Sequence, residues 1–193
     1  PDAVAIIAAR HSRLVDVADV NGRVFLNNCS LGAYPAAVRR RDALRRTRGL
    51  GKWRAMVLAS FDVFRRLRRL HATLACDDHA PAAARTALLF VANNRYGGRL
   101  FSGALRERLD AGQLWLYVAR SHRVLPLLRS AWQATTRGLD AAEALDARPA
   151  ARLTVDVGLP QITAGLDGEL VTFDAPLRFR TRPRALRVLA PPP

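Results

Sequence analysis

Two acidic side chains stand one residue apart near the C-terminus, in the sequence Asp167-Gly168-Glu169. Both flanks have the apolar character of strands. Asp-Gly is a favoured two-residue hairpin turn, because glycine tolerates positive φ and aspartate bonds back to its own backbone. Such a turn would hold two carboxylates on one rigid loop, a position suited to a general base. A solvated hairpin tip is the alternative interpretation, and the turn alone does not decide between them.

Amide side chains end two other apolar runs. Asn27-Asn28 follows one run and leads to a hydroxyl and Gly32, and Asn93-Asn94 follows another and leads to Gly97-Gly98. Amide donors at such strand ends could line a polar site and bond phosphate or ribose oxygens. The alternative is that they cap strands and form ordinary loops.

A third polar group is the turn Asp110-Ala111-Gly112, which precedes a strand beginning at Gln113. One carboxylate together with two backbone carbonyls on a turn is a recurring way to hold Mg²⁺. A turn-forming aspartate is the alternative. The four histidines show no metal spacing, and the sequence contains none of the patterns GxSxG, HExxH, GxGxxG or Walker A.

The chain is strongly basic, with 31 basic and 16 acidic residues and a net charge of +15; Lys52 is its only lysine. This charge favours polyanionic partners such as nucleotide phosphates, nucleic acid or anionic lipid headgroups. No zinc spacing, RNP-like aromatic strand or basic region with heptads accompanies it, so we expect no nucleic-acid partner.

The remaining composition bounds the location of the protein. No apolar run reaches the length of about 18 residues that a membrane-spanning helix needs. No secretory segment opens the chain, and Cys29 and Cys76 lack CxxC spacing. We therefore expect buried free thiols in a reducing interior. The chain enters an apolar run at Val4–Ala9 without a lead-in, which suggests a piece of a longer polypeptide.

Short apolar runs separated by turn residues predict a mainly β chain. A sequence of short strands spaced by roughly eight to twelve residues favours an antiparallel β-sandwich. Asn21-Gly22 is a strong type I′ hairpin signal. The predicted strands are residues 4–9, 13–20, 23–29, 71–77, 85–92, 113–119, 142–147, 152–157, 161–166, 169–173, 177–181 and 186–189.

Helical periodicity interrupts these strands twice. Residues 35–70 show apolar residues at three- and four-residue steps with arginines opposite, which predicts a helical insertion. The insertion could be a lid or membrane-facing appendage, or a helical cover for one sheet face with a basic solvated side. Residues 124–136 predict one further helix. We expect a single β-sandwich domain over residues 1–193.

Taken in order, the polar clusters resemble a known family. The run from Val20 to Gly32, Val-Asn-Gly-Arg-Val-Phe-Leu-Asn-Asn-Cys-Ser-Leu-Gly, is similar to the segment that opens the second domain of diacylglycerol kinase-like lipid kinases. The remaining motifs follow in the family's order, and the match spans nearly the whole chain: Gly51-Lys-Trp, Ala92-Asn93-Asn94 to Gly98, Asp110-Ala111-Gly112 and Leu166-Asp-Gly-Glu169. The family includes bacterial diacylglycerol and phosphatidylglycerol kinases and sphingosine and ceramide kinases.

The resemblance implies an ATP-dependent lipid kinase with two domains. An N-terminal α/β domain carries a Gly-Gly-Asp-Gly-Thr nucleotide loop, and a C-terminal β-sandwich supplies acidic catalytic residues. This sequence contains no Gly-Gly-Asp-Gly-Thr, so it corresponds to the C-terminal domain, and the isolated fragment is expected to be inactive. The implied partners are the N-terminal domain and a lipid at the inner face of the membrane, with a cytoplasmic, peripheral location. Homodimer formation is left open, as is the identity of the lipid.

The resemblance also assigns roles to residues. Asp167 and Glu169 match the catalytic hairpin, and Glu169 is favoured slightly over Asp167 as the base that accepts the hydroxyl proton. Asn93 and Asn94 match the nucleotide side of the cleft. The structural Mg²⁺ site maps onto Asp110 and the carbonyls of Gln113 and Trp115. Ala111 replaces the second aspartate of the family's turn, which weakens the case for an occupied site.

Two other functions remain as alternatives. One is a non-catalytic β-sandwich that docks on anionic membranes through arginines, since each cation near an anionic surface contributes about 1 kcal/mol. The other is a kinase of a soluble acceptor related to NAD kinases. Upstream sequence or the activity of the full-length protein would separate these three hypotheses.

Overall fold

The computed structural model describes residues 3–48, 51, 58, 69–96, 106, 108–120, 129, 133 and 145–191. In this part of the chain the helices are α1 (Ala3–Ala9) and α2 (Ala33–Arg48). The strands, in order, are β1 (Ser12–Val20), β2 (Arg23–Phe25), β3 (Asn28–Gly32), β4 (Leu70–Cys76), β5 (Ala82–Thr86), β6 (Leu88–Asn93), β7 (Leu114–Ala119), β8 (Leu145–Ala150), β9 (Arg152–Asp156), β10 (Gln161–Leu166), β11 (Glu169–Asp174) and β12 (Leu177–Leu189).

These strands form two antiparallel sheets of six strands each. The first sheet has the order β2-β1-β12-β9-β4-β5, and the second has the order β11-β10-β3-β6-β7-β8. Inward-facing apolar residues of both sheets make one core, which includes Val20, Phe25, Leu153 and Phe179 from the first sheet and Cys29, Leu31, Leu89, Val91, Leu114, Leu116 and Ala164 from the second. The predicted mainly β, antiparallel sandwich is therefore confirmed.

Helix α2 packs against β3, β10 and β11 of the second sheet. It corresponds to the first part of the predicted helical insertion. The rest of that insertion, and the predicted helix at residues 124–136, lie outside the described residues apart from isolated positions. None of the described helices is long and apolar enough to cross a membrane.

The predicted first strand is wrong, because residues 3–9 form helix α1. Four of its seven residues are alanine, the strongest helix former, and the prediction gave more weight to the apolar run than to this propensity. No residue of α1 is buried. The run is therefore not a core strand.

Two predicted strands each divide between the two sheets. Residues 23–29 contain β2 in the first sheet and the start of β3 in the second, with the crossover at Leu26-Asn27. Residues 85–92 contain the end of β5 and most of β6, which also lie in different sheets. A one-dimensional apolar pattern continues across such a crossover, so it does not reveal the change of sheet.

Two other predicted strands, 177–181 and 186–189, join into the single strand β12. Its pairing with β1 is irregular between Val15 and Val17, where Asp16 lies, and Arg184 adopts a φ of +51° opposite. The first half of β12 also pairs with β9, whereas residues 186–189 pair with β1. Residues 12–15 of β1 and 186–189 of β12 therefore form a two-stranded extension, which we call the β1–β12 ribbon.

Candidate functional site

The predicted polar clusters meet at one end of the second sheet. Strand β10 ends at Leu166, opposite Cys29 at the start of β3. Strand β6 ends at Asn93, opposite Leu114 at the start of β7. Asn28 pairs with Ala92, which places the β3 and β6 ends side by side. Four segments distant in sequence thus form a single edge, and we call this edge the site end of the sandwich.

The Asp-Gly turn forms as predicted. Asp167 and Gly168 have φ angles of +48° and +94°, and Leu166 pairs with Glu169 across the turn. Positive φ at both central residues is the mark of a type I′ turn, whose twist suits a hairpin. The turn therefore fixes the backbone positions from which the Asp167 and Glu169 side chains extend.

The Asp167 carboxylate binds three consecutive backbone amides of the β2–β3 crossover. It accepts hydrogen bonds from the N–H groups of Leu26 at 2.7 Å, Asn27 at 2.7 Å and Asn28 at 2.9 Å. The Asp167 N–H in turn donates to the Asn28 carbonyl at 2.9 Å. Consecutive N–H groups around one anion are a strong arrangement because each bond is charge-assisted. Asp167 therefore holds the crossover in place.

Glu169 stands in a different environment. It is the first residue of β11, and its side chain is exposed to solvent. Strand β11 is the outermost strand of the second sheet, next to β10. An exposed carboxylate on a rigid strand beside the turn can reach a substrate proton. This contrast supports Glu169 over Asp167 as the candidate base.

Arg106 also binds the β2–β3 crossover, through its carbonyl and side-chain oxygens. Its guanidinium donates to the Leu26 carbonyl at 2.9 Å, to the Asn93 carbonyl at 3.1 Å and to Asn27 Oδ1. The same group lies 5.7 Å from the Tyr96 ring centroid, within cation–π range. The sequence gave no signal for this role, because one arginine among 31 basic residues is not distinguishable by pattern.

Asn93 and Asn94 are both buried, with 1% and 0% of their surface exposed. Asn93 Nδ2 donates to the Asp16 carbonyl at 2.9 Å and to the Leu26 carbonyl at 3.1 Å. Asn94 Nδ2 donates to Asp16 Oδ2 at 3.0 Å, and its N–H donates to the Gln113 carbonyl at 2.9 Å. The Asn93 and Asn94 side-chain amides that were predicted to bind nucleotide thus donate hydrogen bonds within the chain. A nucleotide would have to replace these internal hydrogen bonds.

The residues predicted to hold Mg²⁺ have other partners. Arg108 Nε lies 3.2 Å from Asp110 Oδ1, and this hydrogen bond is the main reason that the pKa of the Asp110 carboxyl is lowered. The Gln113 carbonyl already accepts the Asn94 N–H. A guanidinium bonded to the carboxylate that was predicted to bind the ion repels a dication, so the pairing of Arg108 with Asp110 does not fit a Mg²⁺ ion bound by Asp110. Among the described residues, no group of three or more His, Cys, Asp or Glu side chains could hold a metal ion.

The two cysteines are free thiols, as predicted, but only Cys29 is buried, and Cys76 is partly exposed. Burial and, to a smaller extent, the nearby Asp167 charge together raise the pKa of the Cys29 thiol from 9.0 to about 12. A thiol with so high a pKa is protonated near neutral pH and is a poor nucleophile. Cys29 therefore belongs to the core beneath the turn.

One buried acid at this end was missed from the sequence. Asp16 is 3% exposed, and its carboxylate bonds Asn94, Gly112 and Arg184. In the sequence it is one polar residue of an alternating strand, which predicts an exposed side chain. The bulge that turns it inward depends on the register with β12, more than 160 residues later.

Comparison with known proteins identifies the architecture. No family model matches the chain. Three structures from Bacillus anthracis str. Sterne share its fold: two of a putative diacylglycerol kinase (TM-scores 0.71 and 0.65, identities 20% and 18%) and one of a diacylglycerol kinase (TM-score 0.57, identity 14%). The alignments cover 98% of this chain and 60%, 59% and 58% of those chains, so this chain spans less than two thirds of their length. The chain has the fold of part of these diacylglycerol kinase structures.

Proposed function

We propose that this chain is the C-terminal catalytic domain of an ATP-dependent lipid kinase, which phosphorylates a lipid hydroxyl such as that of diacylglycerol. One observation carries the proposal: the Asp167–Glu169 turn meets amide-rich strand ends at a single edge of the sandwich. The fold shared with the Bacillus anthracis structures, and the names of those proteins, support the same reaction class.

In this proposal Glu169 is the general base. The acceptor oxygen forms a bond to the γ-phosphorus of ATP, the bond from that phosphorus to the β–γ bridging oxygen breaks, and the hydroxyl proton passes to Glu169. Phosphoryl transfer requires mainly positioning and charge neutralisation, so one well-placed carboxylate suffices for the proton. Asp167 contributes by fixing the crossover beside it.

In this proposal the phosphoryl donor is ATP bound to Mg²⁺, so that both enter the site together as MgATP. Hard Mg²⁺ ions commonly bind substrate phosphates and keep several waters, rather than requiring a dedicated protein cage. The pairing of Asp110 with Arg108 opposes a separate structural ion at that turn.

The proposal includes an N-terminal nucleotide-binding domain as partner. Apolar side chains of α1 and of the β1–β12 ribbon are strongly exposed: Val4 at 70%, Ile7 at 60%, Leu14 at 42% and Leu189 at 51%. A companion domain that covers them would remove this apolar surface from water, which is favourable by about 25 cal/mol per Å². The shorter span relative to the Bacillus anthracis structures is consistent with such a domain.

A second candidate function, docking on anionic membranes, is favoured by one feature of β12. Arg178, Arg180 and Arg182 alternate with the buried Leu177 and Phe179, so they lie on the outer face of the first sheet. We call these three residues the arginine strip. Two of its members, Arg178 and Arg180, line an open groove of about 790 Å³, which Asp77 and Asp78 also line. The strip suits a peripheral location at the inner face of the membrane, and it is compatible with the kinase proposal.

The kinase proposal is tested with purified full-length protein and γ-labelled MgATP. Diacylglycerol in anionic vesicles and soluble NAD are offered as acceptors in separate reactions. We expect label in the lipid extract, dependent on ATP and on the vesicles. Label confined to the soluble acceptor would favour the relative of NAD kinases. No transfer to either acceptor, together with intact vesicle binding, would favour the non-catalytic docking protein.

A further inference from the structure

The strongest unassigned feature of the molecule is the junction around Asp16. This residue lies in β1 and is 3% exposed. Its Oδ2 accepts the Gly112 N–H at 2.6 Å and Asn94 Nδ2 at 3.0 Å, and its Oδ1 accepts the Arg184 N–H at 2.8 Å. A buried carboxylate is costly to desolvate, so it persists where such donors satisfy it.

The three partners of this carboxylate share an uncommon backbone conformation. Asn94, Gly112 and Arg184 have φ angles of +67°, +68° and +51°. Glycine adopts a positive φ freely, but for Asn94 and Arg184 it is unfavourable and is retained where the surroundings determine it. The single Asp16 carboxylate accepts a hydrogen bond from each of these three residues and so holds all three segments at once.

These segments belong to two different parts of the molecule. Asn94 and Gly112 flank the connection between β6 and β7 at the site end. Arg184 marks the point where β12 leaves the sandwich for the β1–β12 ribbon. A side chain at Gly112 would stand 3.5 Å from Pro183 Cγ, so the loop and β12 also approach closely.

A short path connects the junction to the catalytic turn. Asn93 Nδ2 bridges the Asp16 carbonyl and the Leu26 carbonyl. The Leu26 N–H is one of the three amides that bind Asp167. The Asp16 backbone carbonyl is thus linked through Asn93 to the crossover that Asp167 holds, and the Asp16 carboxylate binds the next residue, Asn94.

We propose that Asp16 is a positioning residue, which fixes the site end of the sandwich relative to the β1–β12 ribbon. The inference rests on the proposed kinase function, because its catalytic consequence is the placement of Glu169 through the crossover. Asp16 does not touch substrate in this account. It determines the relative position of the elements that do.

The test compares Asp16→Asn with Asp19→Asn in the full-length protein. Asp19 is the matched control, since it is a buried acid of the same strand, 2% exposed, whose partners are Arg180 and Arg182 on the outer face. In Asp16→Asn we expect kcat to fall at least about tenfold, with KM for MgATP and lipid within about threefold, measured well below both melting temperatures. Asp19→Asn is expected to stay within about threefold in kcat, whatever its loss of stability.

Amide hydrogen exchange of Gly112, Arg184 and Leu26 supplies a readout that needs no activity. In Asp16→Asn we expect exchange of all three amides to accelerate together by about tenfold or more, and in Asp19→Asn to change less than about twofold. Equal loss of kcat in both variants, or unchanged exchange at Gly112 and Arg184, would overturn the inference. If wild-type protein transfers no phosphoryl group, the kinase proposal fails, and the exchange pattern still decides whether Asp16 links the two parts.

Asn94→Ala covers the case in which Asp16→Asn does not fold. It removes the Nδ2 hydrogen bond to Asp16 and leaves the carboxylate with its two backbone donors. We expect a loss of kcat of about threefold to tenfold in this variant, with faster exchange at Gly112. A folded Asn94→Ala protein with wild-type kcat and wild-type exchange would contradict the positioning role.

Discussion

At the scale of residues, the two carboxylates of the Asp167-Gly168-Glu169 turn stand in different environments. Asp167 accepts three backbone N–H groups, whereas Glu169 is exposed on the outermost strand. The Asp-Gly turn itself could be predicted, because its φ requirements are local. The amides that Asp167 binds could not, since they lie about 140 residues earlier in the chain. The roles of Arg106 and Asp16 could not be predicted either, because their hydrogen-bond partners are also distant in sequence.

Removal of the Asp167 carboxylate should lower stability. In Asp167→Ala, three amides lose their acceptor, but water reaches this exposed position, so we expect a loss of about 1–2 kcal/mol in the free energy of unfolding by urea. Asp156→Ala is the control, because Asp156 accepts only the local Gly158 N–H among its described contacts. Equal losses in the two variants would show that the crossover does not depend on Asp167.

The buried Cys29 thiol makes stability depend on alkaline pH. Its pKa is raised from 9.0 to about 12 by burial and by Asp167, so between these values the folded state keeps a proton that the unfolded state has lost. This contribution to the free energy of unfolding is therefore complete below pH 9 and falls as the pH rises toward 12, by up to about 1.4 kcal/mol per unit.

Urea unfolding at several pH values above 9 measures this slope in wild type, Cys29→Ala and Cys76→Ala. The Cys29 variant should lose most of the decline, and Cys76→Ala should keep it, because Cys76 is only partly buried. A decline of the same size in wild type and Cys29→Ala would show that other groups cause it.

At the scale of elements, the sequence predicted most strands and missed their distribution between sheets. Alternation of apolar and polar residues predicted β1 as a strand, but it gave neither the sheet that the strand joins nor the burial of Asp16 and Asp19. The crossovers after Phe25 and Thr86 interrupt no apolar pattern, so two strands were merged at each place. Val4–Ala9 was assigned to a strand because the apolar run outweighed its alanine content. The polar motifs meet at the site end because of how the strands of the second sheet pair, and the sequence does not reveal this pairing.

Among the glycines described with a positive φ, Gly32 leaves the least room for a side chain. It has a φ of +88°, and an added Cβ would overlap the Ala87 carbonyl oxygen, as expected for close backbone approach. Gly22 has a φ of +82° but open space around it, so Gly22→Ala measures the conformational strain alone. We expect about 1–2 kcal/mol for Gly22→Ala and at least about 3 kcal/mol for Gly32→Ala in unfolding experiments. Similar values for both would mean that β3 and Ala87 separate without cost.

At the scale of the whole molecule, charge and exposed apolar surface divide between different regions. The net charge of +15 includes the arginine strip on the outer face of the first sheet. Four of the eight strongly exposed large apolar side chains in the described part of the chain, Val4, Ile7, Leu14 and Leu189, lie on α1 and the β1–β12 ribbon. One region suits an anionic surface and the other a companion domain. The proposed full-length enzyme would therefore meet the membrane and its own nucleotide domain through different faces.

The arginine strip should contribute to vesicle binding. Arg178→Gln/Arg182→Gln removes two charges and leaves Arg180, the 2.7 Å partner of Asp19. We expect binding to anionic phospholipid vesicles to weaken by about tenfold or more at low salt, and the difference to shrink as salt is added. Arg120→Gln/Arg148→Gln removes the same charge from residues that pair with Asp146. Equal weakening by both double variants would assign the effect to net charge rather than to the strip.

The proposed kinase activity depends most directly on Glu169 as the base in phosphoryl transfer. The decisive measurement is kcat for phosphorylation of a vesicle-borne lipid hydroxyl by full-length wild type, Glu169→Gln and the control Asp174→Asn at the far end of β11. We predict a loss of at least about 100-fold for Glu169→Gln, with KM for MgATP and unfolding free energy unchanged, and near wild-type kcat for Asp174→Asn. A loss below about tenfold in Glu169→Gln, equivalent to about 1.4 kcal/mol of barrier, would contradict the assignment.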